Sequence, residues 1–294
     1  MVNPLKNLVS FPIDHFPVGD LPRVKLGHRG NSYGYRCEEF TERGSLNIIF
    51  LGDSWTEGAG VTREQTFAHI ASQKISEKYG VSVSNWNMAH GGKGYDYFAR
   101  IMLCSLDILK PDAVFITFPV MDRREYFTID GELVDLSLGT LGAIERREID
   151  PPFIIKDIYQ HWSGLVSAQD DAALAIMNYK LIEGLLKERN IPWGFSFNDW
   201  EANLSRVTEL MKSGWFDAAK YLGEPFDRID RVSDSDAHPG PASHDQFGKK
   251  VGDWIVNRCG KNLEKSLEKT CHGKMFFQRV LKKHVMEKCF FKES

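Results

Sequence analysis

Four short β-rich runs, three mainly apolar and one alternating, each followed by a stretch of helical period, constrain this chain more than any other feature. They cover residues 47–51, 81–87, 113–118 and 193–197. Runs this short, rich in β-branched and aromatic residues and bounded by Gly, Pro or Asn, read as strands. The third is apolar enough to be covered on both faces. Between the runs, Thr62-Arg63-Glu64-Gln65 has the form of a helix capping box, and Phe67, Ile70, Ala71 and Ile75 follow at helical spacing up to Gly80. Tyr95, Phe98, Met102 and Leu106 make a second stripe that Pro111 ends, and further helices are expected over 170–189, 201–212 and 243–257. Strands alternating with helices of this length imply a parallel sheet with helices on both faces.

The chain has 294 residues, enough for a large core, and its formal charge of −3 gives no reason to expect nucleic acid as a partner. No apolar stretch reaches the roughly 18 residues that cross a bilayer, and Met1-Val2-Asn3-Pro4-Leu5-Lys6 does not begin a secretory signal. Five cysteines, widely spaced and with no Cys-x-x-Cys pair, support neither a zinc site nor a redox motif. A cytoplasmic protein is expected, with Cys104 in the core. Residues 1–46, dotted with Pro and Gly, read as a lead-in packed on the core. Residues 122–169 read as an irregular, charged insertion near the strand ends. Residues 261–294 carry nine Lys/Arg against four Asp/Glu, and Met275, Phe276, Phe277, Val280, Leu281, Val285 and Met286 fit an amphipathic helix with a basic outer face.

The first run stops at Gly52-Asp53-Ser54-Trp55-Thr56-Glu57-Gly58. A hydroxyl at the carboxyl end of a buried strand, where a helix begins, lies where open α/β sheets bind ligands and where a developing anion is stabilised. Ser54 is therefore a candidate nucleophile; the competing reading makes Asp53 and Ser54 plain helix-cap residues. A serine needs a base and an acid to orient it. Asp236 and His238, two apart, present both side chains to one side of an extended segment, and Pro239 and Pro241 stiffen the loop before the next helix. A polar turn is the alternative there, and His244 is assigned a packing role. The Ser54 amide, and the Gly92 amide within Gly91-Gly92-Lys93-Gly94, are candidate oxyanion donors. That glycine cluster matches neither a phosphate loop nor a dinucleotide fingerprint, and His90 beside it reads as a lone loop histidine.

Taken together, Gly52-Asp53-Ser54-Trp55-Thr56-Glu57-Gly58, Asn87 five positions before Gly92, and Asp236-Ala237-His238-Pro239 resemble three sequence blocks of the SGNH (GDSL-type) hydrolases. The blocks fall in the family's order across residues 47–257. The resemblance implies a three-layer α/β/α, flavodoxin-like sandwich over 47–257, with a helical extension over 258–294. It also implies Ser54 as nucleophile, His238 as base, Asp236 as orienting acid (Asp234 being the alternative), and the Ser54 and Gly92 amides as oxyanion hole. The expected partner is a small-molecule or glycan ester, and neither cofactor nor metal is expected. Where the family places an oxyanion asparagine this chain has Met121, with Arg123 and Arg124 at hand to replace it. Asp53, Trp55, Met121, Arg123 and Arg124 are the candidate substrate-contacting residues, while Trp86, Trp162, Trp193 and Trp200 read mainly as core. The implied activity is hydrolysis of a carboxylic ester, such as an O-acyl group on a carbohydrate. An O-acyltransferase and a non-catalytic binding or assembly module are the alternatives.

Overall fold

The computed structural model describes residues 20–24, 30–127, 133–151, 153–198 and 201–269. In chain order these form β1 (Leu46–Leu51), α1 (Ser54–Glu57), α2 (Phe67–Tyr79), β2 (Val83–Asn87), α3 (Tyr95–Leu109), β3 (Ala113–Phe118), β4 (Arg124–Phe127) and β5 (Leu133–Leu136). Next come α4 (Leu138–Glu145), α5 (Phe153–Ser163), α6 (Ala168–Glu188), β6 (Trp193–Phe197), α7 (Glu201–Lys212) and α8 (Pro241–Lys269).

The four runs make one parallel sheet in the order β2-β1-β3-β6. Period-two alternation divides its side chains between two cores. Leu46, Ile48 and Phe50 of β1 join Phe67, Ala71 and Ile75 of α2 and Phe247, Val251 and Ile255 of α8 on one face. On the other, Ile49, Leu51, Val114, Ile116 and Phe118 meet Phe98 and Met102 of α3 and Tyr179 and Ile182 of α6. The result is a three-layer α/β/α sandwich. The order in which strands are added reverses between β1 and β3, and in such sheets the crevice at that point, beyond the carboxyl ends of the strands, is where ligands bind. Among the described residues no further strand follows β6, yet residues 220–226 run beside it: Phe195 N–H donates to Lys220 O, and Leu222 and Phe226 N–H donate to Phe195 and Phe197 O. Phe226 is pinned there by stacking on Phe247, ring centroids 4.3 Å apart. The chain after Phe226 is thereby delivered to the same end of the sheet as the residues after β1.

Several expectations shift. Helix α2 starts a turn later than the capping box suggests. Thr62 and Gln65 do bond, N–H to Oε1 at 2.9 Å, but around a turn, and the cap is Thr66, whose Oγ1 accepts from His69 N–H. The helix after Ser54 is a single turn, closed by Gly58 at φ 81°, so no long helix dipole points at the serine. Cys104 is half-buried, whereas Cys37 and Cys259 are in the core. Within the expected irregular insertion, β4 and β5 form an antiparallel hairpin, and Val134 and Leu136 pack on Tyr159 and Trp162 of α5 as a small separate core. Helix α8 continues through Lys269, with Leu263 and Leu267 buried, past the boundary expected at 257. From the lead-in, Leu21, Tyr35, Cys37 and Phe40 lie in the α3/α6-side core. The amphipathic stretch from Met275 to Met286, and Trp200, lie outside the described residues. Among the described residues, no helix is long and apolar enough to cross a membrane.

Candidate active site

The turn after β1 is built on Asp53, which caps α1 by accepting the Trp55 N–H at 3.0 Å. Asp53 is fully buried, and its other oxygen accepts from Arg123 Nη1 at 2.7 Å and from Asn198 Nδ2 at 3.0 Å. Gly52 is required by close approach: a Cβ there would lie 2.0 Å from Thr56 Oγ1. From the lead-in, Arg36 donates to the Glu57, Gly58 and Val61 carbonyls and clasps the far end of the turn. Asn87, at the end of β2, donates to Thr56 O at 2.8 Å and ties the neighbouring strand to it.

The second part comes from the loop before α8. Arg231 and Pro239 bridge as a minimal antiparallel pair, with Val232 N–H donating to His238 O at 3.0 Å. Asp230 anchors its base by accepting the Ala242 and Ser243 N–H groups. Those two donors and the Ser243 hydroxyl hold its carboxyl below the usual carboxylate range against the opposing cost of burial. Asp236 and His238 meet through a turn and not through the extended segment expected. One oxygen, Asp236 Oδ1, accepts both the His238 backbone N–H at 3.0 Å and its Nδ1–H at 2.6 Å. The backbone donor and then the ring lower the Asp236 pKa. Asp234 is exposed, and the imidazole is held by Asp236.

The two parts meet at the carboxyl edge of the sheet, where Ser54 Oγ lies 3.0 Å from His238 Nε2. An ionised Asp236 only accepts, so the ring proton sits on Nδ1 and the Nε2 lone pair faces the serine. A third segment, the turn after β2, closes the site. Gly92 there has φ 76°, which suits glycine, and a Cβ built on Gly91 would lie 3.6 Å from Ser54 Cβ. Gly91 N–H donates to Glu57 Oε2 at 2.7 Å, and Lys93 N–H to His90 O. The Ser54 and Gly92 N–H groups, by contrast, meet no protein acceptor among the described residues. Burial raises the pKa of Glu57, and the Gly91 donor opposes it. Burial likewise lowers the pKa of His90, whose Nδ1 lies 4.0 Å from Glu57.

Four of the five candidate substrate-contacting residues are withdrawn from the surface. Met121 is 2% exposed, in the α3/α6-side core where an apolar extension of β3 belongs. Trp55 is buried edge-on against Phe226, centroids 5.5 Å apart. Arg124 is buried and paired with Asp171 at 2.7 Å. Asp53 is buried as described, so only Arg123 keeps exposed side-chain surface, at 16%. Asn198, Glu57, Arg36 and Asp230 were not singled out by sequence; only tertiary contact reveals them. Trp86 and Trp193 are in the α3/α6-side core. His244 is also buried, accepting Phe67 N–H at Nδ1 (3.1 Å). Among the described residues, no group of three or more His, Cys, Asp or Glu could hold a metal ion.

Fold and site together define an arrangement class: a serine–histidine–aspartate chain with two unused amides, set at the switch point of a doubly wound sheet. No protein-family profile matches the chain, and no curated protein matches it. Among solved structures it is similar to TesA, at 12% identity over 72% of this chain and 99% of that one, with a TM-score of 0.43. It is also similar to a lipase from a goat rumen metagenome (18% identity, 70% and 95% covered, TM-score 0.40). A third is a lipolytic protein of the G-D-S-L family from Desulfitobacterium hafniense (13%, 71% and 98%, TM-score 0.35). Likeness at this level assigns no chemistry; the side chains of this site have to.

Proposed function

We propose that the protein is an SGNH-type serine esterase that hydrolyses a carboxylic ester, such as an O-acyl group on a carbohydrate, through an acyl-enzyme. One observation carries this: a hydrogen-bonded line from Ser54 Oγ to His238 Nε2 (3.0 Å) and from His238 Nδ1 to Asp236 Oδ1 (2.6 Å). A serine hydroxyl is a weak nucleophile until a neighbouring base removes its proton as it attacks. His238 takes that proton at Nε2, and Asp236 stabilises the imidazolium from the other side.

As Ser54 Oγ bonds to the ester carbon, the carbonyl oxygen gains negative charge. The Ser54 and Gly92 N–H groups, which no protein acceptor among the described residues engages, suit that charge, since donors already fixed in place need little rearrangement. Collapse of the tetrahedral intermediate expels the alcohol, which takes the Nε2 proton. Water then repeats the sequence on the acyl-enzyme and regenerates Ser54. The free thiols Cys37, Cys104 and Cys259 suit a reducing cytoplasm.

Ser54→Ala is the test. It should abolish hydrolysis of p-nitrophenyl acetate and labelling by a fluorophosphonate probe while leaving the melting temperature near that of the wild type. Turnover by the variant equal to the wild type would sink the proposal.

A further inference from the structure

Two backbone amides leave the oxyanion one donor short of the three that the resemblance implies, with Met121 in the asparagine's place and turned into the core. We infer that Arg123 is that third donor, a catalytic residue whose guanidinium binds the carbonyl oxygen of the ester and its oxyanion. The inference rests on the esterase reading above.

The guanidinium spans the two segments that supply the amide donors. Its Nη1 donates at 2.7 Å to Asp53, the residue before Ser54, and at 3.2 Å to the carbonyl of Lys93, the residue after Gly92. Its stem packs directly on that second segment, since a Cβ built on Gly94 would lie 2.7 Å from Arg123 Cβ. Both bonds use one nitrogen. Among the described residues, Nε and Nη2 meet no acceptor, although the side chain is only 16% exposed. An arginine carries five N–H donors in a rigid plane, so anchoring one end aims the rest.

Three neighbouring donor side chains are otherwise engaged. Lys93 Nζ is 2.7 Å from both oxygens of Asp135 and 3.1 Å from Glu125. Arg124 is bound to Asp171 and Met121 O. Asn198 is 1% exposed and directs its Nδ2 to Asp53. Asp53 thereby acquires a purpose beyond capping α1, because it fixes the charge beside the nucleophile. A permanent cation, itself mostly withdrawn from solvent, stabilises an oxyanion more than an amide does.

The test compares Arg123→Ala, Arg123→Lys and Ser54→Ala in the full chain with p-nitrophenyl acetate, a neutral ester. Arg123→Ala should lower kcat about 100-fold or more with KM within about threefold, the pattern of a donor used in the transition state. Millimolar methylguanidinium should restore part of that loss, which a merely structural role would not allow. If Arg123→Ala does not fold, Arg123→Lys keeps a cation for Asp53 but lacks the fork, and should show the same kcat-selective fall. A kcat within threefold of wild type in the folded Arg123 variants, with Ser54→Ala inactive, would overturn this inference and leave the esterase reading standing. So would a loss confined to KM. Ser54→Ala as active as wild type would overturn both.

Discussion

The turn that carries Ser54 and the loop that carries His238 bring their side chains to one point by opposite means. The serine turn is buried and cross-braced by distant partners, with Asp53 paired to Arg123 and Asn198 and with Arg36 clasping its far end. The histidine loop lies near the surface, with Asp236 37% exposed at its side chain, and it is held by its own backbone and by sequence neighbours, Asp230 at its base and Arg228 donating to Ala237 O. Under the proposed mechanism the difference suits the chemistry asked of each. A nucleophile aligned with oxyanion donors needs fixed geometry, which buried ion pairs supply at a desolvation cost. A base that must alternate between charged and neutral forms is better left where water can solvate the charge.

Three substitutions break or sharpen this contrast. Asp236→Asn should have the largest effect, lowering kcat/KM for p-nitrophenyl acetate about 1000-fold through loss of the oriented tautomer. Its urea-unfolding midpoint should barely move, since an exposed carboxylate contributes little to stability. Asp53→Asn should do the reverse in kind. It leaves Arg123 without its counter-charge, and urea unfolding should report a loss of about 3 kcal/mol. Equal stability of these two variants would undo the comparison.

The third concerns His244, packed behind the histidine loop, whose pKa is lowered from 6.5 to about 4 by burial. Because the unfolded chain takes up a proton near pH 6.5 and the folded one only near 4, this group stabilises the fold above pH 6.5. That stabilisation fades as the pH falls towards 4, by about 2 kcal/mol between pH 6.5 and 5. His244→Asn, whose side-chain oxygen can still accept the Phe67 N–H, should flatten this part of the stability curve. An unchanged slope in denaturation measured across that range would show that His244 is not the group responsible.

What the sequence made legible was local. The four strands were visible because three are short, mainly apolar runs and the other alternates; those three lie within a residue of where the pattern puts them, and the alternating one, β2, begins at Val83. Ser54, Asp236 and His238 could be named because each sits in a short motif with its own turn chemistry. The insertion was illegible for the converse reason. Strands β4 and β5 have four residues each, and ion pairs from elsewhere hold the hairpin, with Lys93 and Arg100 both reaching Glu125. Arg123 and Asn198 act on a carboxylate 70 and 145 positions away. No pattern in a window of neighbours contains that information. The start of α2 misled because Thr62 and Thr66 offer the same capping chemistry four residues apart.

The strip of chain beside β6 has a consequence for how molecules of this protein meet one another. An outer strand ordinarily presents a row of unpaired amides and carbonyls, a template on which another chain can add itself. Here Lys220 O, Leu222 N–H and Phe226 N–H already occupy the outer edge of β6. The segment that carries the chain towards His238 therefore also acts as a guard rail, closing that side of the sheet to strand addition and to the aggregation it seeds.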